Sequence, residues 1–293
     1  MSASTEATTH ARLDEATWRG FAAQHRERVE PWVAPRRERR LAGSTHPVDD
    51  FLFDYYPYSV AKLTAWHPGY GVSLLGDADE YLERDDYVRV DGAVTVRPIA
   101  EKGVARLRMV VRLLRSTAER APHLGCFGLH EWAMVHRIDE ARHAGYPLRV
   151  SADDVETVID EVGLRCTHID AYRFFTPSAL PLNAHEPTRA EQHTWEQPGC
   201  VHANMDLYKY AMWFTPRVPS ELIADCFEVA RSARDLDMRA APYDLSDLGY
   251  APVPVETAEG RRQYVDEQRQ IAAVAEGLRA RLLSSLTSLD KNA

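Results

Sequence analysis

Apolar residues recur at helical spacing along most of the chain. Residues 12–33 read as a helix with Leu13, Phe21 and Val29 among its apolar positions, and the Pro-flanked basic stretch at 35–40 reads as a connector. Pro47 with Asp49 and Asp50 predicts a helix start, because acidic groups in a first turn face the positive end of the helix dipole. That helix would carry Phe51, Leu52, Phe53, Tyr55 and Tyr56, be interrupted at Pro57, and end by His67-Pro68-Gly69. Residues 70–97 are irregular, with strand-like pieces at 87–90 and 94–96. From Pro98, Ile99, Val104, Leu107, Val110, Val111 and Leu114 recur at three- and four-residue steps and mark one apolar face of a helix to about Arg120. After a turn at 122–125, residues 126–138 read as a buried helix.

The pattern changes at 146–175. Residues 147–150 and 164–169 are strand-like and flank a helix capped by Ser151, with Asp154 completing a capping box. Residues 176–200 are polar and Pro-rich, a long loop of the kind that often carries function. Helices return at about 203–214, 220–237 and 257–288, the last two capped by Ser220 and Thr257. The expected fold is mainly α: a disordered tail at 1–11, then a single mostly helical domain at 12–293 with a small α/β-like insertion around 146–175.

Composition fits a globular protein: 45% hydrophobic and 27% charged over 293 residues. No apolar run approaches the roughly 18 residues of a membrane span, and residues 1–10 lack the basic-then-apolar pattern of a signal segment. The expectation is a soluble cytoplasmic protein with no membrane partner. Cys126, Cys166, Cys200 and Cys226 form no CxxC pair, which counts against a zinc ribbon or thioredoxin motif and favours free buried thiols. A net charge of −9 counts against sequence-independent nucleic-acid binding over the whole surface. The basic runs at 36–40 and 106–120 read as solvated surface.

Glycine-rich phosphate loops, the GxSxG elbow and HExxH are absent. Candidate chemistry lies in six polar clusters. Asp50 and Asp54 share a helical face. His130 and Glu131 interrupt an apolar stretch, where buried charge needs a partner; being adjacent, they would point about 100° apart on a helix. His136, Glu140 and His143 are spaced i, i+4, i+7, a two-His, one-carboxylate set. His168 and Asp170 would face one side of an extended segment, next to Arg173. The stretch 196–209 runs from a Pro-Gly turn into a helix start and carries His202, Asn204, Asp206, Tyr208 and Lys209, with Asn204 a candidate cap. Asp235, Asp237, Arg239 and Asp244 read as local salt bridges between two helices.

Five blocks resemble a bacterial family labelled 3-methyladenine DNA glycosylase. They are Asp50-Phe-Leu-Phe-Asp-Tyr-Tyr, Trp66-His-Pro-Gly, Cys126-Phe-Gly-Leu-His-Glu-Trp-Ala-Met, the run from Glu196 to Lys209, and Asp237-Met-Arg-Ala-Ala-Pro-Tyr-Asp-Leu, spread over about residues 15–285. The resemblance implies an N-glycosidic hydrolase in DNA repair that releases a methylated purine, with DNA or the modified base as partner and no cofactor. Such an enzyme extrudes the base, holds it between aromatic faces and supplies a carboxylate. Asp206 or Asp54 would activate the water, with His202, His130 and Glu131 as further polar groups. Tyr55 and Trp132 would be stacking walls, and Tyr56, Asn204, Tyr208, Lys209 and Arg173 further contacts. Two alternatives stay open. One is a non-heme iron or zinc enzyme acting on a small molecule, held by His136, Glu140 and His143 or by His130 with His202. The other is a non-enzymatic small-ligand-binding protein.

Overall fold

The computed structural model describes residues 11–138 and 146–291. The tail expected at 1–11, apart from Ala11, and two members of the i, i+4, i+7 set, Glu140 and His143, lie outside the described residues. The chain is mainly helical with one small mixed sheet, as the pattern predicts. The sequence pattern favours one domain; the contacts group the described residues into two compact units, 11–109 with 208–225 and 281–291, and 110–138 and 146–207 with 226–280. No helix among the described residues is long and apolar enough to cross a membrane.

In the first unit, helix α1 (Glu15–Leu41) is capped by Asp14, whose carboxylate accepts from the Thr17 amide at 2.8 Å. It runs through Pro31 and Pro35, so the basic stretch at 35–40 is helix and not a connector. An interior proline costs about 3 kcal/mol. Here Val29 and Val33 are fully buried, and Arg36 and Arg39 ion-pair with Asp50 at 2.9 and 2.5 Å, so tertiary contacts hold the helix through both breaks. Short helices α2 (Phe51–Tyr55) and α3 (Val60–Thr64) follow on either side of Pro57.

Strands β1 (Ala11–Leu13), β2 (Val72–Leu74), β3 (Tyr87–Val90) and β4 (Ala93–Val96) form a sheet in the order β1-β2-β4-β3. β1 runs parallel to β2, and the other pairs are antiparallel. The β3–β4 hairpin turns on Asp91-Gly92, both at positive φ, the pairing that a two-residue turn matching strand twist requires. Trp18 of α1, Trp66, Leu74, Tyr81, Tyr87, Val94 and Val96 form the core under this sheet.

The second unit is built from the end of helix α4 (Glu101–Ala118), from α5 (Leu129–Ala133), α6 (Ala152–Val162), α7 (Ile169–Tyr172) and α8 (Gln192–Trp195), and from parts of α9 (Val201–Trp213), α10 (Ser220–Ala240) and α11 (Ala258–Lys291). The expected capping box at Ser151 and Asp154 is present, and Thr257 caps α11 through the Gly260 amide at 3.0 Å. The long buried helix expected over 126–138 is reduced to α5, because Phe127, Gly128 and Arg137 adopt left-handed backbone angles that end a helix on either side. The strand-like segments at 147–150 and 164–169 are isolated bridges, Leu148 with Tyr243 and Leu164 with Asn183, and 169–172 is helical.

A candidate metal centre

Every residue of α9 from Val201 to Leu207 is buried except half-buried His202. A helix buried on all faces is a core element, so the polar groups on it must find partners inside. His202 and Asp206 are one turn apart and each joins a different cluster. Asp206 lies 3.5 Å from His168 Nε2, which also stands 3.1 Å from Glu196 Oε1. His202 sits edge-on to His130, ring centroids 4.4 Å apart, and His130 Nε2 is 3.1 Å from Asp237 Oδ1.

The result is two trios: His130, His202 and Asp237, and His168, Glu196 and Asp206. Within each, one ligating atom per residue lies within 4.8 Å of the others. Metal–ligand bonds of about 2.1 Å place ligand atoms roughly 3–4 Å apart, so the spacing suits a shared ion. The His202 and His168 rings are 5.4 Å apart, which makes His202 the neighbour of both trios. Around them, Arg234 donates to Glu131 and Asp237, each at 3.2 Å, and Gln192 donates to Glu196. The turn leading into α9 is held by Gln197, whose side-chain carbonyl accepts from the His123 and Gly199 amides, both at 2.7 Å.

The hydrogen bonding does not close. His130 Nε2, both ring nitrogens of His168, Glu131 Oε2 and Asp237 Oδ1 are buried and lack an aligned hydrogen-bond partner, although opposite groups stand close by. Such orphaned groups cost about 1–3 kcal/mol each, more when charged. The charge is also unbalanced: of four buried carboxylates, Glu131 and Asp237 share the Arg234 guanidinium, Glu196 has buried Arg279 acting on it from farther off, and Asp206 faces His168. The histidines absorb part of this. Burial would lower the His168 pKa, but Glu196 and Asp206 outweigh it and raise it to about 9. His130 is likewise raised, its burial outweighed chiefly by Asp237. His202 goes the other way, to about 3, through burial and the neighbouring His130, and so remains a neutral imidazole. Asp237 is held well below the usual carboxylate range, burial being overcome by His130.

A narrow pocket reaches this centre. His130, His202, Cys126, Cys166 and Cys200 line it with apolar Leu129, Leu164, Phe175 and Val201, and its free interior of about 20 Å³ admits roughly one water molecule. The thiols are outside the trios. Burial raises the pKa of all three, that of Cys166 to about 12, so they remain protonated and are poor metal ligands as they stand.

The structure brings together His130, Glu131, His202 and Asp206 of the residues expected from sequence. His130 and Glu131 share the Asp237–Arg234 cluster despite being adjacent, with 4.0 Å between His130 Nε2 and Glu131 Oε1. Asn204 is near but is not a cap: it bonds the Pro198 carbonyl and accepts from Arg279 at 2.6 Å. Trp132 is a core residue whose indole N–H donates to the Ala240 carbonyl. Arg173 is exposed over Phe174, and Asp170 pairs with Arg189 rather than with His168. His136 bonds Ser178. Asp54, Tyr55, Tyr56, Tyr208 and Lys209 belong to the first unit: Asp54 pairs with Arg36, Tyr55 stacks on Phe51, Tyr56 packs edge-on to Tyr208, and Lys209 lies over Tyr210. Sequence reasoning missed Glu196 and Asp237 and paired His168 with the wrong acid. The available signal was that Glu196 and Asp237 each open one of the five blocks that carry the resemblance. Comparison with known proteins found no matching family model, no matching curated protein and no matching solved structure.

Proposed function

We propose that the chain is a metal-dependent enzyme acting on a small molecule, with the two trios as adjacent ligand sets. The observation that carries this reading is the trio His168, Glu196 and Asp206. All three are buried, their ligating atoms converge, and neither His168 nitrogen has an aligned hydrogen bond. Imidazole and carboxylate donors without thiolate suit iron(II), zinc or manganese, and His130, His202 and Asp237 have the two-His, one-carboxylate composition of non-heme iron sites. A bound dication would supply Lewis acidity and lower the pKa of a coordinated water towards about 7.

The chain's own groups have separable tasks. Arg234 orients Asp237 and Glu131 by donating to both. Outer partners of this kind fix ligand geometry. Glu131 Oε2 is buried beside His130 and lacks a hydrogen-bond partner, which leaves it as an acceptor for a proton released at the centre. Leu129, Leu164 and Phe175 exclude bulk water from that space. The test is equilibrium dialysis of the chelator-treated chain against zinc, manganese and, without oxygen, iron(II). Saturable binding that drops at least tenfold in His168→Gln and in Asp237→Asn is expected; failure of all three metals to bind a folded chain would remove the reading.

One observation favours N-glycosidic cleavage as a second reading: Asp206 is a fully buried carboxylate 3.5 Å from a histidine that can orient it. Release of methylated purine from duplex DNA, measured by mass spectrometry and lost in Asp206→Asn, would favour it; no release by the metal-loaded chain would set it aside.

A further inference from the structure

The first unit has a pocket of about 540 Å³, within the range of small-molecule sites. Its rim carries three exposed cations: Lys62 on α3, Arg84 just before β3, and Arg106 on α4. Among the described residues none of the three has a carboxylate partner. Aromatic faces hold them instead: Lys62 lies over Tyr58 at 5.9 Å, Arg84 over Tyr81 at 5.8 Å and Arg106 over Trp213 at 5.3 Å. A ring positions a cation without neutralising it, so this charge stays available to a ligand. The one carboxylate in the lining, Asp86, is engaged by Arg217 at 2.9 Å.

The buried member of the lining, His67, adds no charge. Its Nδ1 lies 2.8 Å from the Tyr87 hydroxyl and 3.4 Å from an Arg84 nitrogen that can only donate. Nδ1 is therefore the acceptor, and Nε2 carries the proton. Burial, then Arg84, holds the ring neutral down to about pH 3. The pocket thus offers an ammonium and two guanidiniums, with Tyr58 and Trp213 as apolar walls.

We propose that this pocket binds a phosphate-bearing small molecule, its phosphate on Lys62, Arg84 and Arg106 and its organic part against Tyr58 and Trp213. Guanidinium forks match phosphate oxygens, and the volume exceeds what a bare anion fills. Exposed Glu83 and Asp85 flank Arg84 and oppose a long polyanion, so the ligand is a small phosphomonoester rather than a nucleic acid.

The test is tryptophan fluorescence titration of the full chain, with calorimetry, using adenosine monophosphate, ribose 5-phosphate, inorganic phosphate and adenosine at low salt. The phosphomonoesters are expected to saturate, to bind at least tenfold more weakly to Lys62→Ala/Arg106→Ala, and to lose their fluorescence signal in Trp213→Phe. Inorganic phosphate binding as tightly as the esters would keep the phosphate site and assign free phosphate as its source. Adenosine binding as well as its monophosphate, no saturation by any phosphate, or unchanged affinity in the folded double variant would overturn the proposal. Both substituted cations are exposed and far in sequence from the metal trios, so metal content serves as an independent control.

Discussion

Two buried carboxylate sites, one in each unit, show how differently the chain treats internal charge. Asp50 in the first unit is fully buried and fully used. Arg39 and Arg36 grip its oxygens, and the His46 amide donates to it at 2.9 Å. Burial is outweighed by Arg39 and the His46 amide, and its pKa is lowered. Asp237 and Asp206 in the second unit are as buried, but they face histidines and other acids whose polar atoms remain orphaned. A buried charge whose partners are complete is a latch. A buried cluster with surplus negative charge and unaligned donors lacks that completeness, and a bound dication, as proposed, would supply it.

Substitutions can break or sharpen this contrast. The largest loss is expected at the latch. Asp50→Ala removes the buried carboxylate that Arg36 and Arg39 share and leaves the His46 amide without its acceptor, and should cost about 3 kcal/mol in urea unfolding, with metal binding unchanged. Next is the turn entering α9, where a Cβ at Gly199 would sit 2.7 Å from the His123 carbonyl oxygen. Gly199→Ala should cost about 2 kcal/mol through overpacking and also weaken metal binding, because Glu196 and His202 flank the turn. A tolerant Gly199→Ala would mean that the turn does not position the ligands.

Acid should act on the first unit through His67. Its folded pKa is about 3, against about 6.5 unfolded. As pH falls below about 6.5 the unfolded chain takes up a proton that the native ring refuses, so stability declines from there towards pH 3. His67→Gln should flatten that part of the stability–pH curve; an unchanged slope would show that His67 is protonated in the native state. The smallest stability effect is expected at the second site. Asp206→Asn removes one of several crowded carboxylates and should shift metal-free stability by less than about 1 kcal/mol, while metal binding falls at least tenfold. A loss as large as at Asp50 would make Asp206 another latch.

The sequence carries the helices because their apolar spacing is local: α4, α10 and α11 lie within a few residues of where Pro98, Ser220 and Thr257 predict them. It does not carry the continuation of α1 through Pro35, since Asp50, whose ion pairs hold it, is read on a different helix. The site follows the same rule. His202 and Asp206 are legible as an i, i+4 pair inside an apolar helix. Asp237 looks like a surface salt-bridge residue, because its neighbours Asp235 and Arg239 are one, and only the rotation of α10 turns it inward. His168 looks paired with Asp170 if the segment is extended; the helical turn at 169–172 sends Asp170 to Arg189 instead.

X-ray absorption on the chain loaded with zinc or iron tests the metal centre most directly. The two trios predict a first shell of nitrogen and oxygen only, at about 2.0–2.2 Å, with imidazole scattering behind it. A sulfur shell near 2.3 Å would move the metal to the pocket cysteines and contradict the assignment, as would a folded chain that retains no metal at all.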